Sequence, residues 1–290
     1  MKSHLKTHLL MLLLTCIWTL DAVTVSSAVD HISQIFLLCC KYLCALPVLL
    51  IFVLVTEGRP RFRVRDLPFF ILSTLLGDIA YFYFEYTALK YLPAGIVTIM
   101  LGLVPAASYL TDCAVTRRRP QTRLLLAIGL ILAGLCPVVL SGETQAGHLI
   151  GYLACALCVA AWVGYGYVLR RLDRTYSTAA ITLGQQVLAL GIMVPFALAN
   201  IPSSLPLREI LLYIAAAGIL SDGIGFLIEV RGMTELGTTV TGIYLNLLPV
   251  FTAAAGFLFL HQTMTVPQML GAAIVIVCGF YVLRKTDSLQ

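Results

Sequence analysis

The chain alternates between long apolar segments and short polar or charged connections. Ten segments carry few charges, at residues 9–28, 33–55, 67–89, 94–115, 124–140, 148–169, 178–199, 210–230, 238–260 and 267–283. A helix that crosses the hydrocarbon core of a bilayer takes about 20 residues. The pattern therefore predicts ten transmembrane helices.

The composition places the whole chain in the membrane. Of the 290 residues, 60% are hydrophobic and only 11% are charged, and the mean hydropathy is +0.95. Soluble chains are about 45 to 50% apolar and about 25% charged. The sequence thus predicts an all-α integral membrane protein without a soluble domain, and it excludes a cytosolic enzyme.

Positive charge predicts the orientation, because Lys and Arg near span ends are retained in the cytoplasm. With the N-terminus inside, sixteen of the nineteen Lys and Arg residues fall on cytoplasmic segments. We therefore expect a multi-pass protein of the cell (inner or plasma) membrane with both termini cytoplasmic. The net charge of +5 follows from this topology, so no nucleic-acid partner is expected.

A cleaved signal peptide is the competing interpretation of the N-terminus, since Lys2 and Lys6 precede an apolar stretch that ends at Ser26-Ser27-Ala28. An internal repeat argues against it. Residues that are rare inside membranes recur 144 positions apart, in the pairs Trp18 and Trp162, Asp78 and Asp222, Glu85 and Glu229, and Pro105 and Pro249. Such a register indicates duplication.

Each copy holds five helices, with expected boundaries at residues 1–143 and 144–290. Because five is odd, the second copy enters the membrane from the opposite side, which gives two inverted five-helix repeats. This arrangement is typical of secondary transporters, whose substrate site lies near the midplane. We expect alternating access by rocking of the two five-helix halves.

The chain resembles the EamA family of the drug/metabolite transporter superfamily. The resemblance rests on ten helices in two repeats, on Trp18 and Trp162, and on the stretch Tyr86-Thr87-Ala88-Leu89-Lys90-Tyr91-Leu92-Pro93-Ala94-Gly95, which leads to Pro105. It implies a secondary transporter for small metabolites, often an exporter of amino acids or related compounds.

The chain departs from the family pattern in two places. A Gly-Glu-Arg-like turn is common in the family after the fourth helix of a repeat, where this chain has Arg118 and, in the second copy, His261-Gln262. Family members tend to have small or apolar residues at the positions of Asp78 and Asp222. The second departure suggests a site with chemistry of its own.

Six acids lie in predicted spans, and charged groups at that depth usually face a cavity or a partner. They are Asp21, Asp78, Glu85, Asp112, Asp222 and Glu229. Asp78 and Asp222 fall near mid-span, and on a helix each shares a face with the residues four and seven positions later. Each repeat would then present an acid, an aromatic ring (Phe82 or Phe226) and a second acid along one stripe. In the first repeat Tyr81 lies beside Phe82.

We interpret this stripe as a cavity wall where carboxylates and ring faces hold a cationic amine, and where an acid could couple transport to protons. The alternative is that the acids only join neighbouring helices. Glu85 and Glu229 are predicted to lie nearer the two surfaces and to pair with Lys90 and Arg231.

Lys41 is the one basic residue deep in a predicted span, and its repeat mate is Gln185. It could neutralise Asp21 on the neighbouring helix or meet a substrate carboxylate. If both the stripe and Lys41 bind substrate, the substrate carries one positive and one negative charge, as an amino acid does.

Pro105 and Pro249 fall in mid-span, where proline bends a helix and frees a carbonyl. Thr241, Tyr244 and Asn246 lie close to the second proline, so this region could form a cavity wall or a gate, although kinks also serve packing alone. Trp18 and Trp162 are either interfacial or cavity aromatics.

Enzyme chemistry has little support. The sequence lacks a Gly-x-x-x-x-Gly-Lys phosphate loop, HExxH and Gly-x-Ser-x-Gly. The spacing of Cys155 and Cys158 fits small-residue packing better than a redox motif, and neither a metal nor a cofactor is expected. The sequence therefore predicts a secondary transporter that moves a small polar metabolite, and the main expectation is an exporter of amino acids or related amines. The alternatives are an organic-cation (quaternary amine) carrier and a non-transporting membrane partner or sensor.

Overall fold

A computed structural model describes residues 5–140, 146–201, 214–236, 241, 244–245, 247–261 and 264–287, and every secondary-structure element among them is a helix. We number the helices by span: α1 Leu5–Ala28, α2 Gln34–Thr56, α3 Val64–Tyr91, α4 Ala94–Val115, α5 Thr122–Leu140, α6 Ala146–Leu172, α7 Thr178–Ala199, α8 214–236, α9 Leu248–Leu260 and α10 Val266–Asp287. Within this part of the chain, α1 to α4, α6 and α7 are long and apolar enough to cross a membrane, and α5, α9 and α10 contain shorter apolar helices. The predicted ten-helix architecture is confirmed.

Helix starts repeat in the same register. The hydroxyl of Ser33 accepts a hydrogen bond from the Phe36 amide (3.3 Å) at the start of α2, and Ser177 does the same for Ala180 (3.1 Å) at the start of α7. Such caps satisfy amides that have no partner within the helix. The two serines lie 144 positions apart, like the pairs found in the sequence.

Both α3 and α8 contain a π-helical segment at matching positions. It covers Thr74–Ala80 in α3 and Gly218–Gly225 in α8, and regular α-helix resumes at Tyr81 and Phe226. Single-turn π-helical insertions are rare and frequently lie at functional sites. Asp78 and Asp222 are both within these segments.

α4 is interrupted between Leu101 and Val104. Pro105 lies in the first turn of the segment Val104–Val115, and Pro249 lies in the first turn of α9. Proline fits there because a first-turn amide has no partner within the helix in any case. The predicted mid-span kink at Pro105 is thus a break followed by a new helix start.

The described helices pack mainly on helices of the other repeat. α1 contacts α8 and α9, while α6 contacts α3 and α4, and these are the same contacts with the two repeats exchanged. α2 packs on α7, and α5 packs on α10. The first helix of each repeat is thus packed into the other repeat, and rocking of the two five-helix halves stays a prediction that would have to break these contacts.

Candidate functional site

A cavity of about 290 Å³ lies between the two repeats and is lined by residues of α1, α3, α4, α6, α8 and of the chain entering α9. Six aromatic side chains form much of its wall: Trp18, Tyr81, Phe82, Tyr86, Trp162 and Phe226. Four carboxylates also line it: Asp21, Glu85, Asp222 and Glu229. Among the described lining residues there is no Lys, Arg or His, so the wall is acidic.

Glu85 and Glu229 occupy equivalent positions on this wall, one in each repeat. The predicted surface pairs with Lys90 and Arg231 are wrong. Arg231 pairs with Glu235 one turn away (Nε to Oε1, 2.9 Å), and Lys90 is exposed at the end of α3. Each glutamate follows Phe82 or Phe226 by three residues on regular α-helix, which turns both side chains to the cavity.

Lys41 lies behind the wall instead of on it. Its side chain is fully buried, and its Nζ is 2.7 Å from Oδ2 of Asp21 and 3.3 Å from Oδ2 of Asp222. It also donates a hydrogen bond to the Tyr86 hydroxyl (2.9 Å). Of the two roles open to Lys41 in the sequence, the structure has the pairing with Asp21, and Lys41 is absent from the described lining of this cavity.

A glycine makes this meeting of α2 and α8 possible. A Cβ on Gly218 would lie 2.4 Å from the Lys41 carbonyl oxygen and 2.9 Å from its Cα. The absence of a side chain lets the two backbones approach, and Asp222 follows one turn later in the π-helical segment. Lys41 and Asp222 can then meet across the repeat boundary.

Asp78 is not part of the described cavity wall, in contrast to the prediction. Tyr42, which is fully buried, donates a hydrogen bond to Oδ1 of Asp78 (3.2 Å), and its ring packs edge-on to Phe82 (6.2 Å between centroids). The repeat mate of Tyr42 is Gln186, which donates to the main-chain oxygen of Asp222 (3.2 Å). The two aspartates differ because a tyrosine holds one away from the cavity, while Lys41 pairs with the other.

The aromatic residues of the wall are packed against one another. Tyr81 contacts Trp162 with 4.7 Å between ring centroids, and Trp18 contacts Phe226 at 6.0 Å. The repeat mate of Tyr81 is Gly225, where a Cβ would lie 2.9 Å from Nε1 of Trp18. Both tryptophans therefore line the cavity. Trp162 packs beside Tyr81, whereas Trp18 lies over Gly225, the repeat mate of Tyr81.

Both prolines line the cavity, together with Val104 and Leu248. These residues belong to the first turns of two helical segments, Val104–Val115 and Leu248–Leu260. A helix N-terminus carries a partial positive charge. These two helix starts thus add positive dipole ends to a wall whose side-chain charges are negative.

Tyr244 is not part of the described wall either. Its hydroxyl is 2.8 Å from Nδ1 of His8, and nearby Thr7 donates to Glu235, so these residues join the start of α1 to α8 and α9. Asn246 lies outside the described residues.

Two polar clusters lie away from the cavity. Arg170 makes two hydrogen bonds to Asp112 (3.1 Å each), whose Oδ1 also accepts from Tyr167 (2.7 Å). In the connections, the Tyr176 hydroxyl donates to Asp66 (2.8 Å). Desolvation and this hydrogen bond raise the pKa of Tyr176, so it remains a donor at neutral pH. Both clusters join helix ends and do not reach the cavity.

Sequence reasoning missed Tyr86, which lines the cavity and binds Lys41. Its position four residues after Phe82 was a usable signal. It also missed Thr98 and Ser221, which supply hydroxyl groups to the wall. In the described part of the chain, no group of three or more His, Cys, Asp or Glu residues could hold a metal ion.

The fold and cavity can now be compared with known proteins. The model of the EamA-like transporter family matches the chain twice, at residues 5–140 and 149–284. The chain belongs to the EamA-like transporter family. It is therefore a multi-pass membrane protein of a transporter family and not of an enzyme family, as the sequence predicted.

Individual relatives of this EamA-like protein are distant. It is 25% identical over 239 residues to the threonine/homoserine exporter RhtA of Escherichia coli (strain K12), covering 80% of this chain and 76% of that protein. It is 22% identical over 283 residues to an uncharacterized transporter of Archaeoglobus fulgidus, covering 95% and 96%. A solved crystal structure shares the fold with a TM-score of 0.66 at 19% identity, covering 98% of this chain and 99% of that one.

Proposed function

We propose that this EamA-like protein is a secondary transporter of small metabolites that carry a protonated amine, with amino acids as its main substrates and export as its direction. The observation that carries the proposal is the cavity between the repeats. Its described side chains include four carboxylates and no Lys, Arg or His. An ammonium group there would replace lost hydration with carboxylate oxygens, which form strong, charge-assisted hydrogen bonds.

Glu85 and Glu229 are the proposed amine ligands. Asp21 and Asp222 are already paired with Lys41, whereas the two glutamates face the cavity from opposite repeats. A symmetric pair suits alternating access, because the substrate can keep one carboxylate while it approaches the other.

The two helix starts at Val104 and Leu248 support an amino acid over a simple amine. In broken-helix transporters, N-termini of half-helices bind anionic groups of the substrate. A carboxylate near these starts and an ammonium near the glutamates would fit one small zwitterion. The distant likeness to an exporter of threonine and homoserine agrees with this substrate class and with export.

Quaternary amines are the second candidate class, and the aromatic wall favours them. Ring faces attract cations by about 0.5 to 2 kcal/mol each, and six such residues surround the cavity. A quaternary amine needs no hydrogen-bond acceptor and no positive dipole end, so it would use the rings without the helix starts.

The test is flux in proteoliposomes with probes that remove one substrate group at a time. We would measure uptake of labelled L-threonine and its competition by L-homoserine, threonine methyl ester, N-acetyl-threonine and choline. Competition by homoserine, weaker competition by the ester and none by the N-acetyl compound would support the amino-acid proposal. Strong competition by the ester and choline, with direct choline uptake, would favour the organic-cation candidate. If neither threonine nor choline is transported, the proposal fails.

A further inference from the structure

Lys41 separates the central cavity from a second one. The second cavity, of about 480 Å³, lies between α1, α2 and α8 near the connection from α1 to α2, and it is lined by Lys41 and His31. The central cavity is lined by the two partners of Lys41, Asp21 and Asp222, and Val25 lines both cavities. The ion pairs of Lys41 therefore form part of the partition between two spaces.

The second repeat shows that helix packing does not require these ion pairs. The repeat mates of Asp21 and Lys41 are Tyr165 and Gln185, and neither of these side chains is charged at neutral pH. At the equivalent positions, the first repeat has the ion pair of Lys41 and Asp21. Because burying a charged pair costs desolvation that a neutral pair avoids, the charges in the first repeat point to a role beyond packing.

The partners of Lys41 are also reachable from the cavity. The side chain of Asp21 is 14% exposed, whereas that of Lys41 is fully buried. Oδ1 of Asp21 is a buried acceptor that has no hydrogen-bond partner. Asp21 also lines the central cavity, so a substrate ammonium there would lie beside this carboxylate.

We propose that Lys41 is a tethered cation, that a substrate ammonium held first by Glu85 and Glu229 goes on to compete with it for Asp21 and Asp222, and that Lys41 then releases its proton into the central cavity. This inference rests on the proposed function, because it requires a substrate with a positive charge. One N–H bond of the Lys41 ammonium breaks, the proton passes to water in the central cavity, and the neutral amine can accept a hydrogen bond from Tyr86. One cation enters as one proton leaves, so the charge of the site is unchanged.

The same exchange would drive export, because a proton that enters through the second cavity and leaves through the central one crosses the membrane once in each cycle. The second cavity lies at the end of the molecule that the charge pattern predicts to be extracellular. A proton that enters there would recharge Lys41, which would reclaim both aspartates and displace the substrate. The groups that face Lys41 from α1, α3 and α8, or that line its cavity, are Asp21, Glu85, Tyr86, Asp222 and His31. Tyr42 follows Lys41 on its own helix, and α7, which packs on α2, has the buried, uncharged residues Gln185 and Gln186.

The test compares the wild type with Lys41→Gln, which installs the residue of the second repeat. Proteoliposomes are assayed for threonine and choline exchange without a pH gradient, and for accumulation driven by one. Proton release on binding is followed with a pH dye in detergent solution.

For the wild type we expect accumulation and about one proton released for each substrate bound. Lys41→Gln should continue to exchange substrate with an altered, pH-independent half-saturation, and should lose both accumulation and proton release. Lys90→Gln, an exposed lysine, is the matched control.

Each outcome has one interpretation. If the wild type exchanges neither probe, the proposed function fails, and this inference fails with it. If the wild type exchanges substrate but releases no proton, or if Lys41→Gln accumulates substrate as the wild type does, only the inference fails. Should Lys41→Gln not yield monodisperse protein, Asp21→Asn/Lys41→Gln removes one charge of each sign and takes its place, with the same loss of accumulation expected.

A second variant tests the path of the proton. Ala217 lines the second cavity and not the central one. Ala217→Leu should slow gradient-driven accumulation at least fivefold while exchange without a gradient continues. Accumulation at the wild-type rate in this variant would overturn the route through the second cavity.

Discussion

At the residue scale, some equivalent positions of the two repeats have different contacts. Asp78 and Asp222 are equivalent in sequence, yet only Asp222 lines the described cavity, because Tyr42 binds the first and Lys41 pairs with the second. Glu85 and Glu229, by contrast, keep equivalent places on the wall. The symmetric pair is therefore the better choice for a ligand that must be passed between two states.

This argument gives a prediction for the two glutamates. Glu85→Gln and Glu229→Gln each remove a charge from a proposed amine ligand while keeping its shape. Hydrogen bonds to charged groups contribute about 1.5 to 3 kcal/mol, so the half-saturation constant for a transported amine should rise about tenfold or more in each variant. The measurement is the concentration dependence of initial uptake in proteoliposomes.

The control for these variants is Asp173→Asn, which neutralises an exposed acid in the connection between α6 and α7. It should transport with the wild-type half-saturation constant. Glutamate variants that match this control would show that the carboxylates do not contact the substrate.

At the element scale, close approach of helices positions the site. α8 meets α2 at Gly218, where any side chain would collide with the Lys41 backbone. Overpacking of this kind costs about 1 to 3 kcal/mol. We expect Gly218→Ala to lower the thermal unfolding temperature of the purified protein, and to reduce transport because it separates Lys41 from Asp222.

Gly191 in α7 provides the comparison for that substitution. A Cβ at Gly191 would have no heavy atom within 4 Å, and alanine favours a helix over glycine by about 1 kcal/mol. Gly191→Ala should therefore leave the unfolding temperature unchanged or raise it. Equal destabilisation by both alanines would contradict the close approach of α8 and α2.

The sequence predicted these elements better than their details. Ten spans, two repeats and the break near Pro105 followed from apolar length, from register and from the chemistry of proline. The cavity face of α3 was only partly predicted, because the argument from positions four and seven residues apart assumed regular α-helix through Asp78. The π-helical segment Thr74–Ala80 has no signature in the hydrophobic pattern. The burial of Lys41 between two carboxylates depends on the packing of α2 against α8, which periodicity does not encode.

At the scale of the whole molecule, the orientation remains a prediction that fusions can test. Sixteen of the nineteen Lys and Arg residues favour cytoplasmic termini. Green fluorescent protein fused after residue 290 should fluoresce, and alkaline phosphatase fused there should be inactive. Phosphatase fused after residue 143, beyond five helices, should be active. The reverse pattern would invert the topology and would place the second cavity at the cytoplasmic end.

The interlocked packing makes a further prediction about the two repeats. α1 packs on α8 and α9, and α6 packs on α3 and α4, so the first helix of each repeat packs mainly on the other repeat. A copy of residues 1–143 cannot replace the missing partner, because its arginines fix every copy in the same orientation while the partner must be inverted. We expect residues 1–143 or 144–290 expressed alone to be degraded or aggregated. Expressed together, the two pieces should co-purify through a tag on one of them and restore transport. A monodisperse, folded 1–143 fragment would mean that each repeat is a separate body, and that transport could proceed by rocking of the two sequence halves.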